Sequence, residues 1–247
     1  MNCRKLNYHF QKKDERDYKY FKPIHKVDTK LPAQFILENK IAILDQGDIG
    51  SCVSNAFSLC ISILSTKHVR ISRLFHYYCG RAIEGTSSTL DSGLDIRMAA
   101  NIIRKFGACT EQSWPYITAN YTKLPPLSVF KASKLFKKYN YTFVNQELSS
   151  LKSCLSFSKS PIIFGINVYD SFLSSTNGIV PMPNTTTETL QGGHCMLLVG
   201  YNDATQTFTC ANSWGNSWGN NGLCYMPYAY ILNSTLSSDY CQLNFVL

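Results

Sequence analysis

The polar and apolar positions divide the chain into two textures. Up to about residue 115, apolar residues recur at helical spacing. "SCVSNAFSLCISIL", from Ser51, carries apolar side chains almost all round a helix, which marks a buried one. "RLFHYYCGRAI" follows, with Ser72 placed to cap its start and Gly85 to end it. After the polar loop "GTSSTLDSG" comes a third helix, "LDIRMAANIIRKFG", ending at Gly107. Beyond "SWPYITANYTKLPPL" the pattern changes to short β-branched and aromatic runs between turn signals: "YNYTFV", "PIIFGINVY", "CMLLVGYN", "FTCANSW", "GLCYMPY" and "CQLNFVL". One helix, "SSLKSCLSFS", interrupts them. A helical half followed by a strand-rich half predicts an α+β fold with a cleft where the halves meet. Residues 1–30 are polar and charged and read as an arm over the surface, and "LPAQFILENKIAILDQG" begins the packed region.

Composition narrows the class of protein. A chain of 247 residues, 45% hydrophobic and 16% charged, can bury one large domain or two fused lobes. No apolar run spans a bilayer, and "MNCRKLNYHFQKKDERDYKYF" lacks the apolar core of a signal peptide. The expectation is an intracellular (cytoplasmic) or virion-associated protein with no membrane partner, on which the sequons at Asn120, Asn140, Asn184 and Asn233 carry no glycan. Ten cysteines are scattered singly with no C-x-x-C pair, so most are expected to be reduced and buried. The net charge of +8 is spread over residues 4–30, 97–105 and 131–138. A nucleic-acid footprint would concentrate on one element with aromatics between the charges. The nearest approach, "KASKLFKKYNY", reads as a solvated surface segment, so no nucleic-acid partner is expected.

Three residues far apart in the sequence carry candidate chemistry. Cys52 begins the buried helix, where unpaired N–H groups and the helix dipole favour a thiolate, although alone it reads as a space-filling thiol. His194 lies in "QGGHCMLLVGYN", where two glycines let another backbone approach the imidazole. Asn212 lies in "CANSWGNSWGNNG"; its amide can accept from one ring nitrogen and leave the other facing sulfur, with Trp rings over the bond. The bland reading of that stretch is a Gly-rich turn with aromatics packed on it.

Taken together, Cys, His and Asn in that order resemble the papain-like cysteine peptidases. "QGDIGSC" is similar to the family's Q-G-x-x-G-S-C, and "NSWGNSWGNNG" to its N-S-W-G-x-x-W-G-x-x-G. "SRLFHYYCGR", "DSGLDIR", "WPY" and "GGHCMLLVGYND" resemble a compact branch found in prokaryotes and large DNA viruses. The resemblance implies a two-lobed α+β fold over residues 31–247, a helical lobe at about 40–115 and an antiparallel, β-barrel-like lobe at about 116–247, with the active site between them.

It also implies a cysteine endopeptidase without metal or organic cofactor, acting as a monomer on protein or peptide substrates. Cys52 would be the nucleophile, His194 the base, Asn212 its orienter and Trp214 its shield, with Gln46 and the Cys52 N–H forming the oxyanion hole. Gly93 would pair with extended substrate, and Gly165 and Cys195 would line the S2 wall, leaving room for a bulky P2 side chain. Three positions depart from the pattern. Ile49 stands where many relatives carry a disulfide cysteine, Val53 replaces an aromatic, and Gly193 stands where plant and lysosomal relatives carry Asp. Residues 1–30 are too short for the folded propeptide of secreted relatives, but could lie across the cleft. The same residues would serve a thiol-dependent acyltransferase or amidase, and a catalytically silent structural component of the same fold is the third possibility.

Overall fold

The computed structural model describes residues 4–12, 14–20, 30–37, 41–65, 67–86, 90–134 and 139–245. Residues 21–29 of the arm and 135–138 of the basic run lie outside the described residues.

Helices come first. α1 (Cys52–Leu64) is buried along nearly its whole length, as its all-round apolar pattern requires. In α2 (Arg73–Ile83) the Ser72 hydroxyl accepts from the Phe75 N–H, the predicted cap. α3 (Ile96–Phe106) is capped by the Asp95 carboxylate on the Met98 N–H and ends at Gly107, whose φ of 78° is a left-handed value. Four shorter helices follow: α4 (Leu127–Ser133), α5 (Leu148–Ser156), α6 (Asp170–Leu173) and α7 (Tyr228–Leu232).

The strands are β1 (Gln34–Ile36), β2 (Tyr139–Phe143), β3 (Ile162–Tyr169), β4 (Leu190–Asn202), β5 (Thr207–Ala211), β6 (Leu223–Pro227) and β7 (Ser237–Phe245). All pair antiparallel in the order β2-β7-β3-β4-β5-β6, with β1 added on β4. The path does not return from β6 to β2, so the barrel-like sheet is an open one.

Two apolar clusters explain why β3 and β4 read as continuous apolar runs rather than alternating ones. On β4, Cys195, Leu197 and Val199 join the cluster built around α1, α2 and α3, whereas Met196 and Leu198 join a second cluster with Leu151, Leu155 and Phe208. Both faces of the strand are therefore covered, and α1 packs against β4. No described helix is long and apolar enough to cross a membrane. The nine described cysteines are unpaired and buried.

His76 ties the helices together. One ring nitrogen lies 2.9 Å from the Ala99 carbonyl and the other 3.0 Å from the Ser54 hydroxyl, so the neutral ring donates to the first and accepts from the second. Burial pulls both His76 and His194 down to about 4. Their folded pKa values lie below the ordinary value near 6.5, so the unfolded chain takes up protons first as pH falls. Stability is full above about pH 6.5 and declines toward about pH 4, by about 3 kcal/mol for each ring shifted this far. Thermal melts at about pH 7.5 and about pH 4.5 should therefore differ by on the order of 10 °C. Equal Tm values would contradict buried neutral rings.

Candidate active site

The loop before α1, the end of β5 and the first half of β4 converge on one place. Asp45 bridges Trp214 antiparallel, and the Gly215 N–H donates to the Leu44 carbonyl at 3.1 Å. This lashes the Gln46 segment to the "NSWG" segment. The Ser213 hydroxyl donates to Gln46 Oε1 at 2.8 Å, and the Tyr116 hydroxyl donates to the Gln46 carbonyl at 2.8 Å. Those bonds fix the side-chain amide with its NH₂ outward. Gln46 Nε2 donates to the Ile49 carbonyl and to the Lys5 carbonyl, each at 3.1 Å.

His194 lies on β4 opposite Ile166, and its Nε2 is 2.7 Å from Asn212 Oδ1. An amide oxygen only accepts, so the neutral ring carries its proton on Nε2 and leaves the Nδ1 lone pair free. Nδ1 is buried and makes no hydrogen bond among the described residues. Trp214 lies over the ring with centroids 4.9 Å apart and is itself packed edge-on by Phe172 and Trp218. This aromatic cluster keeps water off the His194–Asn212 bond.

The backbone N–H groups of Cys195, the residue after His194, and of Val53 and Cys52 itself favour the Cys52 thiolate. Complete burial outweighs these three donors and pushes the thiol up to about 12. The same burial holds His194 down at about 4, against the Asn212 hydrogen bond that raises it. In this closed arrangement the pair is thiol and neutral imidazole.

The N-terminal segment provides the cover. Asn7 and Tyr8 bridge Gly193 and Leu94 on opposite walls, through Tyr8 N–H to the Gly193 carbonyl at 3.0 Å and His9 N–H to the Leu94 carbonyl at 3.3 Å. Glycines make the track. A Cβ on Gly93, which has φ of +82°, would fall 1.7 Å from the Asn7 carbonyl oxygen, and one on Gly193 would fall 2.2 Å from that of Tyr8. The Tyr8 ring lies on Gly165, where a Cβ would be 1.9 Å from a ring carbon, and Cys195 is the register partner of Gly165. Ion pairs hold the segment at Arg4–Asp45, Lys5–Asp91 and Asp17–Arg97.

Gln46, Cys52, His194, Asn212 and Trp214 lie around this cleft, and Gly93, Gly165 and Cys195 lie where the arm lies. Reading by motif missed four contributors: Tyr8, Asp91, Ser213 and Asp239. Asp91 accepts from the Lys5 ammonium, the Tyr77 hydroxyl and the Gly50 N–H, and Asp239 accepts from the Tyr8 hydroxyl. Ser213 stood inside the quoted "NSWG" and Asp91 inside the quoted "DSGLDIR"; Tyr8 and Asp239 carried no spacing signal.

A buried helix that starts on a cysteine, docked on an open antiparallel sheet carrying a His–Asn pair, defines the class of papain-like folds. The profile of the papain family of cysteine proteases matches residues 32–241. A peptidase C1-like protein of Acanthamoeba polyphaga mimivirus is 35% identical over 220 residues, covering 83% of this chain and 70% of that protein. The crystal structure of xylellain, a cysteine protease from Xylella fastidiosa, is 34% identical with a TM-score of 0.90, covering 100% of this chain and 99% of that one. Procathepsin B of Trypanosoma congolense, at 15% identity and a TM-score of 0.71 over 97% of this chain and 85% of that one, shares the fold. The chain belongs to the papain family of cysteine proteases.

Proposed function

We propose that the chain is a thiol endopeptidase acting on protein or peptide substrates, with residues 4–12 holding its cleft shut until they are displaced. One observation carries this reading: the outward hydrogen of the Gln46 amide is already given to a peptide carbonyl, that of Lys5, in an extended segment that spans both walls. A substrate carbonyl offered to the same amide would lie beside the Cys52 sulfur.

The Cys52 sulfur attacks that carbonyl carbon while its proton passes to His194 Nδ1. The oxygen, now negative, is held by Gln46 Nε2 and the Cys52 N–H. His194 then gives its proton to the departing amine nitrogen, and the C–N bond breaks to leave a thioester on Cys52. Water, deprotonated by His194, attacks the thioester carbonyl; the acid product leaves and sulfur recovers its proton. Asn212 holds the ring in the tautomer with Nδ1 free, and Trp214 keeps water from that bond.

An epoxysuccinyl or vinyl-sulfone probe tests the assignment. Mass spectrometry should place the label on Cys52 alone among the buried thiols, and the reaction should be slow while the arm is docked. Label on another cysteine with Cys52 untouched would overturn the reading.

A further inference from the structure

We infer that Arg73 is a positioning residue for the oxyanion hole: its guanidinium fixes the loop between Asp45 and Cys52 so that the Gln46 amide and the Cys52 N–H converge. The inference deepens the reading of this cleft as a peptidase site and rests on it. Arg73 stands in "SRLFHYYCGR" and its neighbour Tyr116 in "WPY", two runs that the reaction leaves without a role.

First, Arg73 and Tyr116 hold the two peptide groups that flank Gln46. Arg73 Nη1 donates to the Asp45 carbonyl at 3.0 Å, and the Tyr116 hydroxyl donates to the Gln46 carbonyl at 2.8 Å. The Gln46 N–H donates to the Ser213 carbonyl, also at 2.8 Å. Each peptide group is planar, so holding both leaves the Gln46 Cα little freedom and sets the direction of its side chain. Gly47 follows at once with φ of 66°, and a glycine supplies no such restraint of its own.

Second, Arg73 sets the direction of a hydrogen-bond chain that ends on the same Gln46 carbonyl. Its Nη1 also donates to Asn55 Oδ1 at 2.9 Å. A guanidinium only donates, so the Asn55 oxygen faces it and the Asn55 NH₂ faces away. That NH₂ donates to the Ser51 carbonyl and to Ser51 Oγ, each at 3.0 Å. Ser51 Oγ, 2.6 Å from the Tyr116 hydroxyl, therefore donates to it, and Tyr116 donates to Gln46. The chain ties the residue before Cys52 to the residue that carries the other oxyanion donor.

Third, the guanidinium is buried, which is costly unless it is well partnered, and its other partners serve the same loop. Nε donates to Glu111 at 2.9 Å, and Cζ lies 3.5 Å from the centroid of the Tyr116 ring. That stacking fixes the ring whose hydroxyl the chain uses. None of these partners belongs to residues 4–12, so Arg73 acts on the hole through the loop and not through the occupant of the cleft.

The full chain is compared with its Arg73→Met and Asn55→Asp variants, using two probes built on one peptide. In the aldehyde probe the carbonyl carbon bonds to the Cys52 sulfur, the carbonyl oxygen takes the negative charge in the hole, and the thiol proton passes to His194. In the alkyl iodide probe sulfur displaces iodide and no oxygen takes charge. Both probes need the cleft open, so the ratio of aldehyde affinity to alkylation rate is independent of the arm. Asn55→Asp keeps a partner for Arg73 but has no NH₂, so Ser51 and Tyr116 turn to donate toward the carboxylate and the Gln46 carbonyl loses its donor. Each variant should weaken aldehyde binding about tenfold or more and lower kcat likewise, with KM and the alkylation rate within about threefold of the parent's. Where Arg73→Met fails to fold, Asn55→Asp decides alone. An unchanged ratio in either folded variant would overturn the inference and leave the peptidase intact. A parent that binds the aldehyde at Cys52 but hydrolyses no peptide, with the ratio lowered in the variants, would remove the peptidase and keep the role of Arg73. A parent that forms no adduct at Cys52 would end both.

Discussion

Deleting residues 1–12 should raise kcat/KM on a short peptide by about 100- to 1,000-fold. Tyr8 is buried to 4% exposure, and covering a side chain of that size from water contributes about 2–3 kcal/mol. The Tyr8, His9 and Gln46 hydrogen bonds add about 1 kcal/mol each at most. The Arg4–Asp45 and Lys5–Asp91 pairs, each with one well-exposed partner, add about 0–1 kcal/mol each. Ordering residues 4–12 opposes these contacts, and the gain expected on deletion corresponds to an open fraction of about one in a hundred to one in a thousand in the intact chain. Activity follows that fraction. The chemistry shifts with it: uncovering the cleft rehydrates Cys52 and His194, so the thiol falls from about 12 and the imidazole rises from about 4. The deletion spares the part of the arm that is fixed elsewhere, where Tyr18 and Tyr20 pair with Phe143 and Asp17 with Arg97. Unchanged turnover of a peptide small enough to need no more than the open cleft would show that residues 4–12 do not gate it.

How far the sequence reveals this molecule depends on how local the cause of each feature is. α1 is legible because burial on every side forces an all-round apolar pattern, and Ser72 and Gly107 are legible because caps and left-handed stops have their own chemistry. The runs around β3 and β4 are legible as strands because clusters on both faces make them continuously apolar. β1, three residues long, carries too little pattern to be seen. α4 lies in a stretch whose lysines read as solvated surface, and among its residues only Val129 and Ser133 are buried. The proposed catalytic residues are legible through motifs, since Gln46, Cys52, His194 and Asn212 each lie in a distinctive run.

The arm was not legible in the same way. Its polar composition suggests a surface strand, and the cause of its docking lies elsewhere, in a row of glycines that only the folded cleft aligns. Asp239 is harder still to read: "SSDYCQ" looks like any strand entry, and its placement against Tyr8 comes from one extra residue in a register. Features set by a partner segment or by a bulge leave no periodic trace in their own sequence.

Cys52→Ala and His194→Ala, made in the chain lacking residues 1–12, should each lower kcat by about 10,000- to 1,000,000-fold. The two losses should not add. Sulfur without a proton acceptor and a proton acceptor without sulfur both abolish thioester formation, so the double variant should be no slower than either single one. Asn212→Ala should cost less, because Nδ1 still exists, but the ring loses the bond that fixes its tautomer and its orientation against Trp214. Its remaining activity should respond to pH differently from the parent's, since the Asn212 hydrogen bond favours the protonated ring and its loss lowers the His194 pKa further. Folding is not the confounder in the first case: Cys52 is a small buried side chain, and trimming it to alanine removes one sulfur atom at a cost of about 1 kcal/mol. A Cys52→Ala protein with an unchanged melt and full peptidase activity would mean that the nucleophile lies elsewhere, and the cleft described here would then need another purpose.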